Sequence, residues 1–214
     1  MIAKITMGIA SGLVWTVAIT AASFAIGVAL GLILCAMRLS KIRIIQWIAL
    51  TYILIFRSVP PLLWVFLFYF GLGSGFISIS AFEAATLGLG LITAANMAEI
   101  FRGSLSAIHD GQWEAANALG LPSFSIQRYI IAPQLLRIAL PSAAGYAVAL
   151  LKDSAIASTV GVTDISFNAA YLARSTYQGL EVFAIAGLFY IALSIPIAVF
   201  ARLADKGLRA RVAQ

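Results

Sequence analysis

Ionisable and amide side chains are scarce in this chain, and a few interrupt otherwise apolar sequence where they could do chemistry. Lys152 and Asp153 stand side by side, followed by Ser154, in an apolar stretch that begins after Arg137. Fifteen residues of helix past Arg137 rise roughly 22 Å, which carries the pair beyond a bilayer midplane. An ionisable group at such depth costs ~2.5–3.5 kcal/mol on insertion scales, so it marks either a packing lock or a route for a polar solute. Sequence neighbours point to different sides of a helix, so the two do not make a simple mutual ion pair. Each is expected to meet another helix, a partner subunit or a water-filled path, and together they carry the signs a zwitterion's carboxylate and ammonium need. Asn96 and Glu99 form a second polar pair at i, i+3, and Arg102 continues that face. For Glu99 and Arg102 the plainer expectation is a local ion pair at a membrane interface; Asn96 offers an amide to a solute.

Covalent chemistry is a poor fit. One histidine (His109) and one cysteine (Cys35) supply neither a zinc-ligand set nor a disulfide within the chain, and no nucleophile–base arrangement can be assembled. His109 is expected to be a solvated loop residue and Cys35 a small buried apolar one. These side chains suit binding and passing a solute, without catalytic or metal-ligating roles.

The elements that must hold them are membrane helices. Of 214 residues, 62% are apolar and 10% charged, with a mean hydropathy of +1.01; soluble domains run at about 45–50% and about 25%. Uncharged gaps of 33, 25 and 20 residues separate Lys4 from Arg38, Arg57 from Glu83 and Glu181 from Arg202, and ~20 apolar residues suffice to cross. With the shorter gap before Glu99 and the stretch after Arg137, the pattern predicts five spans over about 13–37, 58–78, 84–101, 138–158 and 183–203. Residues 44–56 are apolar too, but 13 residues fall short of a crossing and Pro60-Pro61 follow, which predicts an oblique or surface helix. A six-span count is the alternative. Five spans with the N-terminus outside put eleven Lys/Arg residues in inner segments, Arg57 among them, and two, Lys4 and Arg174, in outer ones. That bias sets the orientation, with the C-terminus cytoplasmic, and argues against a cleaved signal peptide. The net charge of +6 lies in short gaps between apolar runs, so it faces lipid headgroups and not nucleic acid.

The inner loop, 103–136, is built differently. Asp110 can cap a helix over 112–119, Gly120 is placed as its left-handed C-terminal residue, and Ser123 can cap a second helix over 124–131 that stops before Pro133. Two short helices hinged at a glycine are expected, either resting on headgroups or docking a partner. No G-x-x-x-x-G-K-[ST] phosphate loop occurs, so energy from ATP has to enter through another polypeptide.

Glu114-Ala115-Ala116, Gly120, Ile130 and Pro133 match the EAA---G---------I-LP loop of type I importer permeases of the ABC transporter superfamily, with Ala132 replacing the leucine. Arg57-Ser-Val-Pro60-Pro-Leu-Leu, Ala98-Glu99-Ile-Phe-Arg102-Gly, Pro133-Gln-Leu-Leu-Arg137 and Leu151-Lys152-Asp153-Ser154 resemble its polar amino acid permease subfamily, over residues 11–205. The subfamily often has tyrosine where Asn96 stands. The resemblance implies an all-α membrane protein: a five-transmembrane-helix permease core with cytoplasmic coupling helices, in a bacterial inner membrane. It further implies a polar amino acid or related compound moved by alternating access, with Asn96, Glu99, Lys152, Asp153 and Ser154 along the substrate path or gate. The implied partners are a cytosolic ATPase dimer gripping the loop, a second permease (identical or related) and an extracytoplasmic amino-acid-binding protein that meets segment 163–180. This chain would bind no cofactor; ATP with magnesium belongs to the ATPase subunit. A proton- or sodium-coupled secondary transporter is the competing class, and it lacks an internal repeat to support it.

Overall fold

Two long helices, α2 (Leu13–Arg38) and α5 (Ala81–Ser106), form the centre of the computed structural model, which describes residues 2–72 and 78–210, with side chains through residue 203. Small residues on α5 let its neighbours approach: 72% of its membrane window is buried. Against α2 the approach is closest. A Cβ on Gly27 would fall 2.1 Å from Thr93 Cγ2, and one on Gly31 2.7 Å from Met97 Cβ, so the Gly-x-x-x-Gly spacing is a contact between backbones. A capping box starts α5: the Ser80 hydroxyl accepts from Glu83 N–H at 3.2 Å, and the Glu83 carboxylate accepts from Ser80 N–H at 2.8 Å.

Between them, α3 (Arg43–Ser58) and α4 (Pro61–Phe66, prolonged as a π-helical turn Leu67–Leu72) meet at a bend of 102°. Val59 and Pro60 are both extended, as residues before proline must be. Stacked rings brace the bend, with Tyr52 to Phe56 at 4.4 Å and Phe56 to Trp64 at 4.3 Å between centroids. The expected oblique or surface helix over 44–56 is an obliquely set helix with one packed side: Ala49 and Ile53 are buried against Ala94, Ala95 and Ala98, and the Tyr52 hydroxyl donates to the Leu91 carbonyl at 3.0 Å. Among the described residues four helices are long and apolar enough to cross, five if the bent pair counts as one span. The stretch 58–78 thus covers only the part beyond the bend, and its residues 73–77 lie outside the described residues.

An additional helix, α1 (Ile2–Ala10), precedes α2 and buries Ile5 and Ile9 against α9 (Ile165–Thr176) and α10 (Gly179–Ala210). The loop region holds α6 (Gly111–Ala118) and one turn, α7 (Ser123–Ser125). A π-helical segment, Ile126–Ile131, joins α7 without a break to α8 (Ala132–Asp153), which ends in a 3-10 stretch, Ser154–Val160. The predicted stop before Pro133 does not occur. Proline in the first turn of an α-helix loses no needed N–H, and the wider π turn ahead of it takes up the ring.

Candidate translocation path and coupling loop

Polar side chains converge where α5, α8 and the α3–α4 bend meet. Half-buried Asn96 donates to the Ile92 carbonyl at 3.0 Å and to the Tyr146 hydroxyl at 3.4 Å, and Tyr146 donates to Thr93 Oγ1 at 3.3 Å. Arg57 and Asp153 both lie within electrostatic reach of that hydroxyl, and Arg57 also reaches the Glu99 carboxylate. Glu99 and Arg102 make the expected ion pair, Nη2 to Oε2 at 2.7 Å, with Arg102 Nε donating to both carboxylate oxygens. A third member joins from α2: Arg38 Nε stands 3.9 Å from Glu99 Oε1.

Of the residues singled out in the sequence, Asn96, Glu99 and Asp153 fall along this region. Lys152 diverges from Asp153, as sequence neighbours on a helix must, and lines a separate groove of about 290 Å³ with Tyr190 and Ser194 of α10. Ser154 is fully buried and donates to the Leu151 carbonyl at 2.7 Å, which occupies its hydroxyl within its own helix. Tyr146 carried no signal of its own in the sequence. Arg57 did, in the Arg-x-x-Pro-Pro run, but counting it as a membrane boundary hid its position at the bend of a packed helix.

At the end of α5 the loop folds into a small rigid body. Ile108, Ala116, Ile126 and Ile131 are buried together, with Trp113 and Ile130 packed on them. Gly120 is left-handed at φ +69°, and the N–H groups of Gly120 and Leu121 donate to the Asn117 and Ala116 carbonyls, a Schellman closure. Capping at the other end departs from expectation: Asp110 accepts no side-chain bond, and His109 Nδ1 instead accepts from Gly111 N–H at 3.0 Å. Glu114, Ala115 and Pro133 are exposed, and Leu119 and Phe124 are 77% and 73% exposed on the same knuckle. Ala132 is half-buried, so the missing leucine removes apolar bulk beside Ile131.

The opposite end holds a polar knot. Asp164 is fully buried; its carboxylate caps α9 by accepting from Phe167 N–H at 2.8 Å and accepts from the Tyr190 hydroxyl at 3.4 Å. Burial pushes its carboxyl up to about 6, with the Phe167 N–H pulling back. Thr16 Oγ1 of α2 accepts from Ile165 N–H at 3.3 Å, and Gly12 lies so close that a Cβ would fall 2.3 Å from the Asp164 carbonyl carbon.

A bent second span, a close-packed α2–α5 pair and a rigid knuckle between the helices that follow define the architecture of type I ABC importer permeases. One chain of a crystal structure of an amino acid ABC transporter with histidines superposes with a TM-score of 0.88 at 32% identity, covering 95% of each chain. A chain of the MetNI methionine ABC transporter, inward facing, gives 0.75 over 94% of this chain and 96% of that one; at 22% identity it is a likeness of fold. The family described as "Binding-protein-dependent transport system inner membrane component" matches residues 25–210, and the chain belongs to it. It is a permease subunit of an ABC importer, multi-pass in the inner membrane, in a system that includes an ATPase and a substrate-binding protein. Similar relatives include the probable amino-acid ABC transporter permease YckA of Bacillus subtilis (strain 168), 35% identical over 91% of this chain and 86% of that protein. The arginine transport system permease ArtQ of the same strain is 35% identical over 94% and 92%.

Proposed function

We propose that this chain forms one half of a dimeric pore for a polar amino acid or a close derivative, and that the α6–α7 knuckle is its handle for the ATPase. The observation that carries the reading is the knuckle itself: a loop with its own buried core and a Schellman-closed glycine that still exposes Glu114, Ala115, Leu119 and Phe124. Apolar side chains held rigidly in the open match a partner's cleft. The relatives' names support an amino-acid cargo, and Asn96, hydrogen-bonded to Tyr146 on α8, offers an amide to such a solute.

The chain has its N-terminus outside and its C-terminus in the cytosol, with five spans counting the bent pair as one. It carries no ATPase site; ATP with magnesium binds the ATPase subunits. When those subunits close they draw two knuckles together, and because each knuckle is rigid and continuous with α8, the motion passes to the residues around Tyr146 and Asp153. Loaded binding protein then delivers cargo from the side of α9. A Gly120→Val variant of the assembled transporter tests the reading: a β-branched residue cannot hold φ +69°. Loss of ATPase retention or of transport, with the permease still folded, is expected. Both at wild-type level reject the knuckle as the coupling element.

A further inference from the structure

The corner between α2 and α3 carries more positive charge than its surroundings balance. Arg38 ends α2, Arg43 begins α3 and Lys41 lies in the turn. Among the described residues the acid within ion-pair distance is Glu99, and Arg102 already occupies both of its oxygens. Arg38 Nε is buried with no hydrogen-bond partner, and Arg43 has no ion-pair partner among the described residues. Arg38 and Arg43, with Gln46, Trp47 and Leu50, line an open cavity of about 330 Å³. Gln46 is fixed at its edge by donating Nε2 to the Ser40 carbonyl at 2.5 Å.

Trp47, which lines this cavity, is 65% exposed, and Ile42 and Ile44, the sequence neighbours of Arg43, are 58% and 71% exposed. Aliphatic and indole side chains standing open around two guanidinium groups suit the depth where acyl chains give way to headgroups. We infer that the corner binds the phosphate of an anionic phospholipid: Arg38 and Arg43 take its oxygens, and Trp47 and Leu50 lie along the start of an acyl chain. Planar guanidinium forks match phosphate oxygens two at a time. Free phosphate would satisfy the arginines but leave the indole of Trp47 in water, which favours the lipid. The bound phosphate also draws charge from Arg38, leaving Glu99 to Arg102 on the helix that leads into the coupling knuckle. Placing the site in the inner leaflet rests on the orientation proposed above; the binding itself does not.

The test uses the whole transporter, ATPase subunits included, in nanodiscs of phosphatidylcholine doped with phosphatidylglycerol, with retained lipid counted by native mass spectrometry. Phosphatidylglycerol is expected to be retained over phosphatidylcholine. Each arginine is worth about fivefold in that preference, and because the two share one phosphate their effects are coupled and do not simply multiply. Arg43→Gln alone, at an exposed position, lowers it, and the double variant R38Q/R43Q lowers it further. Lys4→Gln, near the N-terminus, leaves it unchanged. Equal retention of the two lipids, or retention untouched by Arg43→Gln and by the double variant, overturns the proposal. So does displacement of the lipid by millimolar inorganic phosphate, which makes the cavity a free-phosphate site. Weaker ATPase retention with unchanged lipid makes the corner a protein contact, and the lipid site is then wrong. Nanodiscs present both leaflets, so a negative result is distinct from a failure of the proposed orientation.

Discussion

One carboxylate, Glu99, faces two arginines in a largely apolar environment, and its position explains why neither arginine is driven out of the bundle. Charged hydrogen bonds are worth about 1.5–3 kcal/mol when the alternative is a stranded cation. Glu99→Gln keeps the shape but leaves Arg38 and Arg102 facing a neutral amide, and a loss of about 1.5–3 kcal/mol is expected, read as a lowered midpoint of thermal unfolding in detergent. An unchanged midpoint means water already screens the pair. Asn96 differs in kind: its amide serves its own helix and the Tyr146 hydroxyl, so it can exchange the second bond for a solute. Asn96→Ala is expected to shift the solute concentration that half-stimulates ATPase turnover, while Tyr146→Phe loses only about 1 kcal/mol of stability. If Asn96→Ala leaves the stimulation curve in place, its role is packing. The Glu99–Arg102 pair was legible in the sequence because i, i+3 spacing alone brings it together. Tyr146 was not, since its meeting with Asn96 depends on how α8 is rotated against α5, which no local pattern records.

Helices here are positioned by what is missing from them. Gly27 and Gly31 let α2 lie against Thr93 and Met97 of α5. Gly27→Ala places a methyl 2.1 Å from Thr93 Cγ2 and 3.0 Å from the Thr93 backbone, which the backbone has to resolve by separating. About 1–3 kcal/mol is expected to be lost, measured by thermal unfolding, whereas Gly145→Ala, with open space at its Cβ, stays within about 0.5 kcal/mol. Equal effects at the two positions would mean the α2–α5 contact is loose. Small residues four apart are common in membrane helices and do not name the helix they meet, whereas Gly120 signalled the knuckle's closure, because a left-handed C-terminal residue follows from backbone geometry. The π segment before Pro133 and the depth of α3 gave no such signal. Proline reads equally as the stop of one helix and the first turn of the next, and Arg57 reads as a membrane boundary until the bend at Val59–Pro60 is known.

At the scale of the whole molecule, the chain closes on itself through the polar knot that joins α2, α9 and α10. Gly12 and Thr16 from near the N-terminus meet Asp164, and Tyr190 meets it from the last helix. A buried carboxyl in that place works against the fold when ionised. Its pKa stands at about 6 against an ordinary 3.8, so the folded state takes up the proton first as pH falls. Above about pH 6 the burial cost is fully present; between about 6 and about 4 it is progressively relieved, and below that range the folded and unfolded chains are protonated alike. Titrations common to both proteins cancel when they are compared, so the contribution of Asp164 is read as a difference between proteins. Asp164→Asn keeps an oxygen for the Phe167 N–H and carries no charge at any pH. It is expected to be more stable than wild type by up to roughly 3 kcal/mol at about pH 8, and equal to it at about pH 4. Unfolding of the two proteins in one detergent at both values measures the gap directly. A gap of the same size at both ends assigns the effect to packing, and a less stable variant at about pH 8 means the ionised carboxylate holds the knot together.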